Sequence, residues 1–171
     1  MDKIQLVKGA KAGSKEALVQ LIMDNKKEYY KLAYVYTGRQ EDALDAMADM
    51  IVILYENIYK LKDEQAFDSW SKTILVNCCK SLLRKRKKLI FLEKLEEKGY
   101  QENLASKESK IDLDNYLQKL NPGQQEAIKL KYFLDMDNAT ISQVLKVPIG
   151  TVKSRISLGL KKLKEYMGGE Y

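Results

Sequence analysis

The sequence is most informative at Val147-Pro148-Ile149-Gly150-Thr151-Val152-Lys153-Ser154-Arg155-Ile156. The proline predicts a turn, and the residues that follow it predict a helix whose first two turns carry hydroxyl groups, a lysine and an arginine. Between Gly150 and Lys164 there are five basic residues and no Asp or Glu. This asymmetry is typical of a helix whose N-terminal turns face base edges while its flank lies on phosphate.

A shorter helical pattern precedes the turn. Ile141, Val144 and Leu145 recur at helical spacing. Lys146-Val147-Pro148-Ile149 supplies the turn, and the last helix is expected from Gly150 to about Met167. A short helix, a tight turn and a longer helix with a basic N-terminal end predict a helix-turn-helix.

Upstream of this motif, Asn121-Pro122-Gly123-Gln124 predicts the start of another helix. Asn121 suits the N-cap, and Pro122 suits the first helical position because its missing N–H has no helical partner there. A short helix is expected just before this point, beginning near Ile111. Residues 111–171 are therefore predicted to form a small helical domain.

The N-terminal part of the chain carries three longer helical patterns. The first starts near Ser14, a suitable N-cap, and ends at Thr37-Gly38, where glycine suits a left-handed C-cap. The second runs from Gln40 to Leu61. Its predicted inner stripe consists of Leu44, Met47, Met50, Ile51, Leu54, Ile58 and Leu61.

The opposite face of the second pattern is acidic. It carries Asp42, Asp45, Asp49 and Glu56, interrupted by Val52 and Ile53. Two interpretations are open at this point. The two aliphatic residues widen the core stripe, or they form an apolar contact ringed by negative charge that suits a basic partner protein.

The third pattern begins after a polar connector at residues 62–69, with Asp68 or Ser69 as its cap. It ends in five consecutive cations at residues 84–88. Such a run is commonly a solvated face, but here it continues a stripe of basic and amide residues, which favours nucleic-acid binding. One face carries Trp70, Ile74, Cys78 and Leu82, and the other carries Lys72, Thr73, Asn77, Lys80, Arg84 and Lys88.

From residue 89 the apolar periodicity loosens into charged and polar residues. The sequence therefore predicts an all-α protein of two small helical domains. They are expected at residues 1–88 and 111–171, joined by a flexible charged linker at 89–110.

The composition narrows the possible functions. A net charge of +6 favours a polyanionic partner. There is no histidine, and the only cysteines, Cys78 and Cys79, are neighbours that diverge on a helix and are expected to pack rather than to pair. With no nucleophile–base pair or metal cluster to assemble, we expect no enzyme activity, cofactor or metal. No apolar run predicts membrane insertion and no apolar signal core opens the chain, so we expect a cytoplasmic protein.

From about Tyr29 to Lys164 the chain resembles the bacterial RNA polymerase sigma factors of the sigma-70 family, in the extracytoplasmic-function (ECF) group. Three patches carry the resemblance. Thr37-Gly38-Arg39-Gln40-Glu41-Asp42-Ala43-Leu44-Asp45 resembles the opening of regions 2.1 to 2.2. Phe67-Asp68-Ser69-Trp70, with Ile74 and Asn77, resembles the promoter-melting helix. Leu120-Asn121-Pro122 and the stretch from Pro148 to Arg155 resemble region 4.

The chain departs from the family pattern at several positions. The family usually has a Gln-Glu pair where this chain has Ala48-Asp49, and an aromatic residue where it has Ile51. An acidic residue is usual where this chain has Thr140. Arg-Ala is usual where this chain has Leu158-Gly159. The missing arginine removes one expected DNA contact, and glycine costs about 1 kcal/mol of helix stability relative to alanine. We therefore expect a divergent member with an unusual promoter.

The resemblance implies a protein that binds core RNA polymerase and directs it to promoters. The first domain, as region 2, would lay its second helix on the clamp helices of the largest subunit. The implied polymerase contacts are Asp45, Asp49, Val52 and Ile53. The third helix would hold the opened −10 strand through Lys72, Asn77, Lys80 and Arg84, with the connector as base pocket. Trp70 is able to stack on a base, but its four-residue spacing from Ile74 and Cys78 favours a position in the core.

The second domain, as region 4, would read the −35 element in the major groove. Lys153 and Ser154 are the base-edge candidates, with Thr151, Arg155 and Ser157 close by. Arg155 is equally suited to contact a phosphate or to brace the domain. Val152, Ile156 and Leu160 keep the spacing of an inward face. The resemblance also implies an anti-sigma protein as an inhibitory partner.

Two other functions compete with this interpretation. A stand-alone helix-turn-helix regulator would bind DNA without polymerase, commonly as a dimer on paired half-sites. No dimerisation heptad is evident, and the first domain would then have no purpose. An all-helical protein-interaction adaptor would carry the same basic patches as ordinary solvated surface.

Overall fold

The computed structural model describes residues 1–96 and 111–168. Within these ranges the chain is helical and has no β-strand, which confirms the predicted all-α class. The helices are α1 Lys3–Lys11, α2 Lys15–Asp24, α3 Lys26–Thr37, α4 Gln40–Asn57, α5 Phe67–Glu96, α6 Ile111–Gln118, α7 Pro122–Tyr132, α8 Asn138–Leu145 and α9 Ile149–Tyr166. Two 3-10 turns, Ile58–Lys60 and Glu64–Ala66, separate α4 from α5.

The fold divides into two compact units. The first consists of Met1–Lys88 with Gln143–Lys146, and the second of Leu89–Ser142 with Val147–Tyr171. Most of the predicted linker at 89–110 lies outside the described residues. Helix α5, which was expected to end near Lys88, continues to Glu96.

The first predicted helix is in fact two helices. Ser14 caps α2 as expected, accepting a hydrogen bond from Ala17 N at 3.1 Å. Gly38 ends α3 in the left-handed region at φ 69°. Between them the chain breaks at Asn25, whose buried side-chain amide donates to Leu21 O at 2.8 Å. Asparagine satisfies its own amide by bonding nearby backbone, and that local bond competes with a continuous helix.

Helix α1 was not predicted from the sequence. Its inner face is small, consisting of Leu6, Val7 and Ala10, and a glycine lies in its interior. A nine-residue helix is unstable in isolation, so α1 depends on packing against the rest of the unit rather than on its own propensity.

The buried faces of α4 and α5 differ from the predicted stripes. In α4, Leu44 is 49% exposed and Ile51 38% exposed, while the buried residues are Asp42, Ala43, Ala46, Met47, Met50 and Leu54. The small alanines let α4 lie close to its neighbour α3, and the larger Leu44 and Ile51 lie at the edge of this contact.

Helix α5 begins at Phe67, one residue before the predicted caps. It buries Phe67, Ser71, Thr73, Leu75, Val76, Cys78 and Cys79, while Trp70, Ile74 and Leu82 are only half-buried.

The second unit is built around Leu117, Leu120, Ile128 and Leu163. Asn121 caps α7 as predicted, accepting from Gln124 N at 2.8 Å, and Pro122 takes the first helical position. In α9, Val152 and Ile156 are buried as expected. Leu160 was expected to face inward but is 40% exposed, and Gly159 takes the inward position instead.

A buried hydrogen bond joins α3 to α5 in the first unit. Tyr29 is fully buried and its hydroxyl donates to Ser71 Oγ at 2.8 Å. Burial is the main cause that raises the pKa of Tyr29 from 10.0 to about 12, because the phenolate would lose its hydration there.

We expect the Tyr29→Phe variant to lose about 1 kcal/mol of unfolding free energy at pH 8, since Ser71 loses a buried partner. The unfolded phenol ionises near pH 10 and the folded one near 12, so the stability that this shift contributes is present below pH 10 and is lost between pH 10 and 12. The unfolding free energy, measured with urea at several pH values across that range, should therefore fall less steeply with pH in Tyr29→Phe than in the wild type. Tyr34→Phe, at a ring that is 46% exposed, is the control and should follow the wild type.

Candidate nucleic-acid and partner-binding surfaces

The turn between α8 and α9 is held by local hydrogen bonds. The hydroxyl of Ser142 donates to Val147 O at 2.6 Å, and Val147 N donates to Ser142 O at 3.2 Å. Lys146 reverses the chain in the left-handed region at φ 54°. At the start of α8, Asp137 accepts from Thr140 N at 2.7 Å. Hydrogen bonding by the Thr140 side chain, and then by its backbone N–H, lowers the pKa of the Asp137 carboxyl. These contacts fix the direction in which α9 leaves the turn.

The start of α9 presents a polar and basic surface. Lys153, Ser154 and Ser157 are exposed, and Thr151 is half-buried. The apolar side of the same turns, Val152 and Ile156, is buried. The helix therefore has one face anchored in the unit and another that can enter a groove.

Arg155 differs from its neighbours because it is half-buried against α7. A Cβ built on Gly123 would lie 3.0 Å from Arg155 Nε and 3.2 Å from its Cζ, so the guanidinium lies on the first turn of α7. It also lines an open groove of 670 Å³ together with Asn121, Ser154 and Leu158. The contact with Gly123 supports the bracing role that the sequence left open, and the groove leaves part of the group accessible.

The basic stripe on α5 keeps three of its four predicted residues together. Asn77 and Arg84 are exposed, Lys80 is half-buried, and the three share one side of the helix at three- and four-residue spacing. Lys72 lies off this line. Its side chain is 16% exposed and its Nζ lies 3.0 Å from Glu28 Oε2, so it is held in an ion pair.

One of the five consecutive cations is also engaged inside the unit. Arg86 forms a hydrogen-bonded ion pair with Asp42, whose side chain is only 7% exposed. The sequence placed Asp42 on the acidic outer face, but the structure buries it. Arg84, Lys85, Lys87 and Lys88 remain exposed.

The predicted polymerase contacts lie on the outer side of α4. Asp45, Asp49 and Val52 are exposed, and Ile53 is half-buried. Three of them, Asp49, Val52 and Ile53, line a groove of 520 Å³ whose other wall belongs to α5. That wall is formed by Ile74, Asn77, Cys78, Ser81 and Lys85. The structure thus brings Asn77, predicted as a DNA contact, to the same groove as the polymerase candidates.

A second groove, of 320 Å³, lies on the other side of Val52 and was not predicted. It separates α2 from α4 and is lined by Lys15, Leu18, Val19, Ile22, Ile51, Val52 and Tyr55. Val19 is 58% exposed and Tyr55 is 54% exposed. The signal was present in the sequence as the excess of apolar residues on α4 beyond what one inner stripe needs.

Tyr59 is a further residue that sequence reasoning missed. It lies in the first 3-10 turn, is 64% exposed, and has Lys60 Nζ 5.5 Å from its ring centroid. The base pocket was predicted at residues 62–69, a few positions later. An exposed aromatic ring beside cations is the arrangement on which unpaired bases stack, and the Tyr-Lys-Leu-Lys sequence at 59–62 was its signal.

The two cysteines lie in the interior of the first unit. Cys78 and Cys79 are buried and unpaired, and burial raises the pKa of both thiols, that of Cys79 to about 12. Residues 1–96 and 111–168 hold no group of three or more Cys, Asp or Glu side chains that could bind a metal ion. No helix in these ranges is long and apolar enough to cross a membrane.

Comparisons with known proteins match both units. Residues 21–89 match the Sigma-70 region 2 family, and residues 110–163 match the family described as Sigma-70, region 4. The RNA polymerase sigma factor SigV of Bacillus subtilis (strain 168) is 29% identical over 162 residues, which cover 90% of this chain and 93% of the relative. The ECF RNA polymerase sigma factor SigW of the same organism is 25% identical over 178 residues, 94% of each chain.

A solved structure shares the fold. The sigma factor RpoE in complex with the anti-sigma factor NepR from Bartonella quintana aligns with a TM-score of 0.61 at 23% identity, covering 89% of this chain and 97% of that one. The two helical units and the helix-turn-helix with its exposed basic face define a helical DNA-binding protein. The chain belongs to the sigma-70 family of RNA polymerase sigma factors, in the ECF group.

Proposed function

We propose that the two units of this sigma factor divide the work of promoter recognition between them. As a sigma factor, the protein directs promoter-specific transcription initiation. In our proposal the unit that contains α4 and α5 binds core RNA polymerase and the −10 element, and the unit that contains α9 reads the −35 element. The observation that carries the proposal is the start of α9, where an anchored helix exposes Lys153, Ser154 and Ser157 beyond a turn closed by hydrogen bonds.

For the −35 element, Lys153 and Ser154 are the residues that would reach base edges. They are exposed at the N-terminal turns, and this is the end of a recognition helix that enters the major groove. Ser157 lies one turn further on and Thr151 one turn before, where both can contact phosphate. Arg155 would act mainly by holding α9 against α7, because its side chain lies on Gly123.

For the −10 element, Asn77, Lys80 and Arg84 would follow the phosphates of the opened strand along α5. Lys72 is a weaker candidate because it lies off the line of these three residues and its side chain is only 16% exposed. Tyr59 would receive an unstacked base, since aromatic faces stack on any base and contribute about 1–3 kcal/mol per base.

For core polymerase, the outer side of α4 is the proposed contact. Asp45 and Asp49 supply negative charge, and Val52 and Ile53 supply apolar surface that lies between two grooves. A partner that fits this face carries basic residues around an apolar ridge. The clamp helices of the largest polymerase subunit are the partner proposed here.

Two further properties follow from the family. A relative of the same fold was solved with an anti-sigma factor, and we propose that an anti-sigma protein holds this chain inactive by covering the same surfaces. We also propose that the protein works in the cytoplasm, where polymerase and promoter meet, and has no catalytic activity of its own.

The proposal is tested by run-off transcription with purified core polymerase on genomic fragments, with and without this protein. Discrete new start sites that share spaced −35 and −10 elements support it. DNA binding without initiation would indicate a stand-alone regulator, and a folded protein with neither activity would indicate an adaptor.

In that assay we expect Lys153→Ala to reduce initiation at preferred promoters about tenfold and to relax the preference for bases in the −35 element, as loss of one good base contact does. Lys164→Ala, at an exposed lysine of the same helix, is the matched control and should keep the preference unchanged. Equal losses for Lys153→Ala and Lys164→Ala would show that α9 contributes charge and not sequence recognition.

The salt dependence of DNA binding is a separate measurement. If four to six phosphates are neutralised, the logarithm of the affinity for DNA should fall with the logarithm of the salt concentration at a slope of roughly −4 to −5.

A further inference from the structure

Helix α1 lies against the segment that joins α4 to α5. It contacts both 3-10 turns of this segment. Together with the first two residues of α5, we call this segment the 58–68 loop. Lys11 Nζ lies 2.7 Å from Glu64 Oε1, and Lys3 Nζ lies 2.6 Å from the carboxylate of Asp68. Glu64 is the first residue of the second 3-10 turn and Asp68 lies just after it in α5, so the two ion pairs flank this turn.

The interior of the 58–68 loop is not fixed by core packing. Ile58, Leu61 and Phe67 are buried and anchor its ends. Between them, none of residues 62–66 is buried. Its local hydrogen bonds run from Gln65 N to Asp63 Oδ1 at 3.0 Å and from Ala66 N to Asp63 O at 3.1 Å. Glu64 forms a long-range hydrogen bond with Lys11, 53 residues away.

The Lys11–Glu64 pair is the stronger of the two. Its side chains are 22% and 26% exposed, whereas those of Lys3 and Asp68 are 45% and 47% exposed, and exposed pairs contribute little. The hydrogen bond from Lys11 is the main cause that lowers the pKa of Glu64, because it stabilises the charged carboxylate.

We propose that α1 is a positioning element for −10 recognition, which holds residues 62–66 of the 58–68 loop, chiefly through Lys11 and Glu64. In this conformation Lys62 is presented to the opened strand beside Tyr59, whose own turn is anchored by the buried residues on either side of it. The proposal rests on the function proposed above for this loop. It assigns to α1 a role in promoter choice that does not require a contact between α1 and DNA. Lys11 and Glu64 are thus positioning residues, and their loss should change selectivity at the −10 element rather than polymerase binding.

The test uses the full-length protein with core polymerase and a promoter library randomised in the −10 element. Four variants are compared with the wild type: Lys11→Glu, Glu64→Lys, the exchanged pair Lys11→Glu with Glu64→Lys, and Lys27→Glu. The last makes the same charge change at an exposed lysine of α3 and controls for lost attraction to DNA. Holoenzyme formation and thermal unfolding, followed by the fluorescence of the single tryptophan, Trp70, are measured alongside.

We expect each single variant to lower the ratio of preferred to non-preferred −10 sequences about two- to fivefold, the range of one ion pair. The exchanged pair should restore the ratio, and Lys27→Glu should leave it unchanged. The inference would be overturned if the single variants left this ratio unaltered, or if the exchanged pair had a ratio no higher than that of either single variant. The proposed function would stand in both cases. If the wild type initiates without any −10 preference, the proposed function of the loop fails as well.

Discussion

Replacing Arg86 with alanine is expected to lower the unfolding free energy of the first unit by about 2 kcal/mol. Replacing Arg84, two residues earlier in the same run of cations, is expected to change it by less than about 0.5 kcal/mol. The two arginines are alike in sequence context, so the difference comes from their surroundings. Arg84 is exposed, whereas Arg86 pairs with the buried carboxylate of Asp42.

Without Arg86, Asp42 becomes a buried charge with no counter-ion. Breaking such a pair costs about 3–5 kcal/mol when both groups are fully buried. Arg86 is 35% exposed, so water screens part of the interaction. Asp42 also lies in the first turn of α4, where the helix dipole favours negative charge. Both effects place the expected cost below that range.

Unfolding in urea, followed by Trp70 fluorescence, measures this cost because Trp70 is the only tryptophan and lies in the same unit. Asp42→Asn should cost less in the Arg86→Ala background than in the wild type, because the stranded charge is then gone. Arg84→Ala should unfold like the wild type and yet initiate transcription less efficiently, because Arg84 is proposed to contact the opened −10 strand. Equal destabilisation by Arg84→Ala and Arg86→Ala would contradict the ion pair as the cause.

The sequence predicted those elements whose signals are local. Ser14, Gly38 and Asn121 each fix a helix end through bonds to residues three or four positions away, and the structure confirms all three. The helix-turn-helix was likewise predictable, because the apolar spacing of Val152 and Ile156 separates the anchored face from the exposed one. The assignments of single residues to DNA or to polymerase remain predictions.

The rest depends on partners distant in sequence. Asp42 looks like any other acid on an outer face until α5 brings Arg86 to it from 44 residues away. Lys72 belongs to a basic stripe by spacing, but Glu28 engages it. Helix α1 has too few apolar residues to be recognised by periodicity, and its partners lie beyond residue 57 as well as in α2. Such pairings determine which charged residues remain exposed for binding, and they cannot be predicted from a short stretch of sequence.

Gly159 shows the same limit for packing. Judged by propensity alone, glycine in the middle of α9 is a cost of about 1 kcal/mol relative to alanine. In the structure, α9 comes so close to α7 at this point that a Cβ on residue 159 would lie 2.5 Å from Ile128 Cδ1 and 3.3 Å from Gln124 Cβ. The glycine therefore permits the contact between the two helices on which the orientation of the recognition surface depends.

Gly159→Ala is consequently expected to destabilise the second unit by about 1–2 kcal/mol, because overpacking outweighs the gain in helix propensity. The sign should reverse when Ile128 is changed to valine, which removes the Cδ1 atom. In that background Gly159→Ala should be neutral or should stabilise by about 0.5 kcal/mol. The contacts that remain are the 3.3 Å approach to Gln124 Cβ and an ordinary van der Waals contact, at 3.5 Å, with Cγ1 of residue 128.

Native-state hydrogen exchange of the amides in α7 and α9 measures these free energies within the intact chain, without interference from the first unit. Leu158→Ala is the control, because this neighbouring side chain is 52% exposed and should change exchange little. The larger Gly159→Leu should separate α9 from α7 and abolish −35-dependent initiation while polymerase binding persists. If Gly159→Ala stabilised the unit in the presence of Ile128, propensity would outweigh packing and α9 would owe its orientation to other contacts.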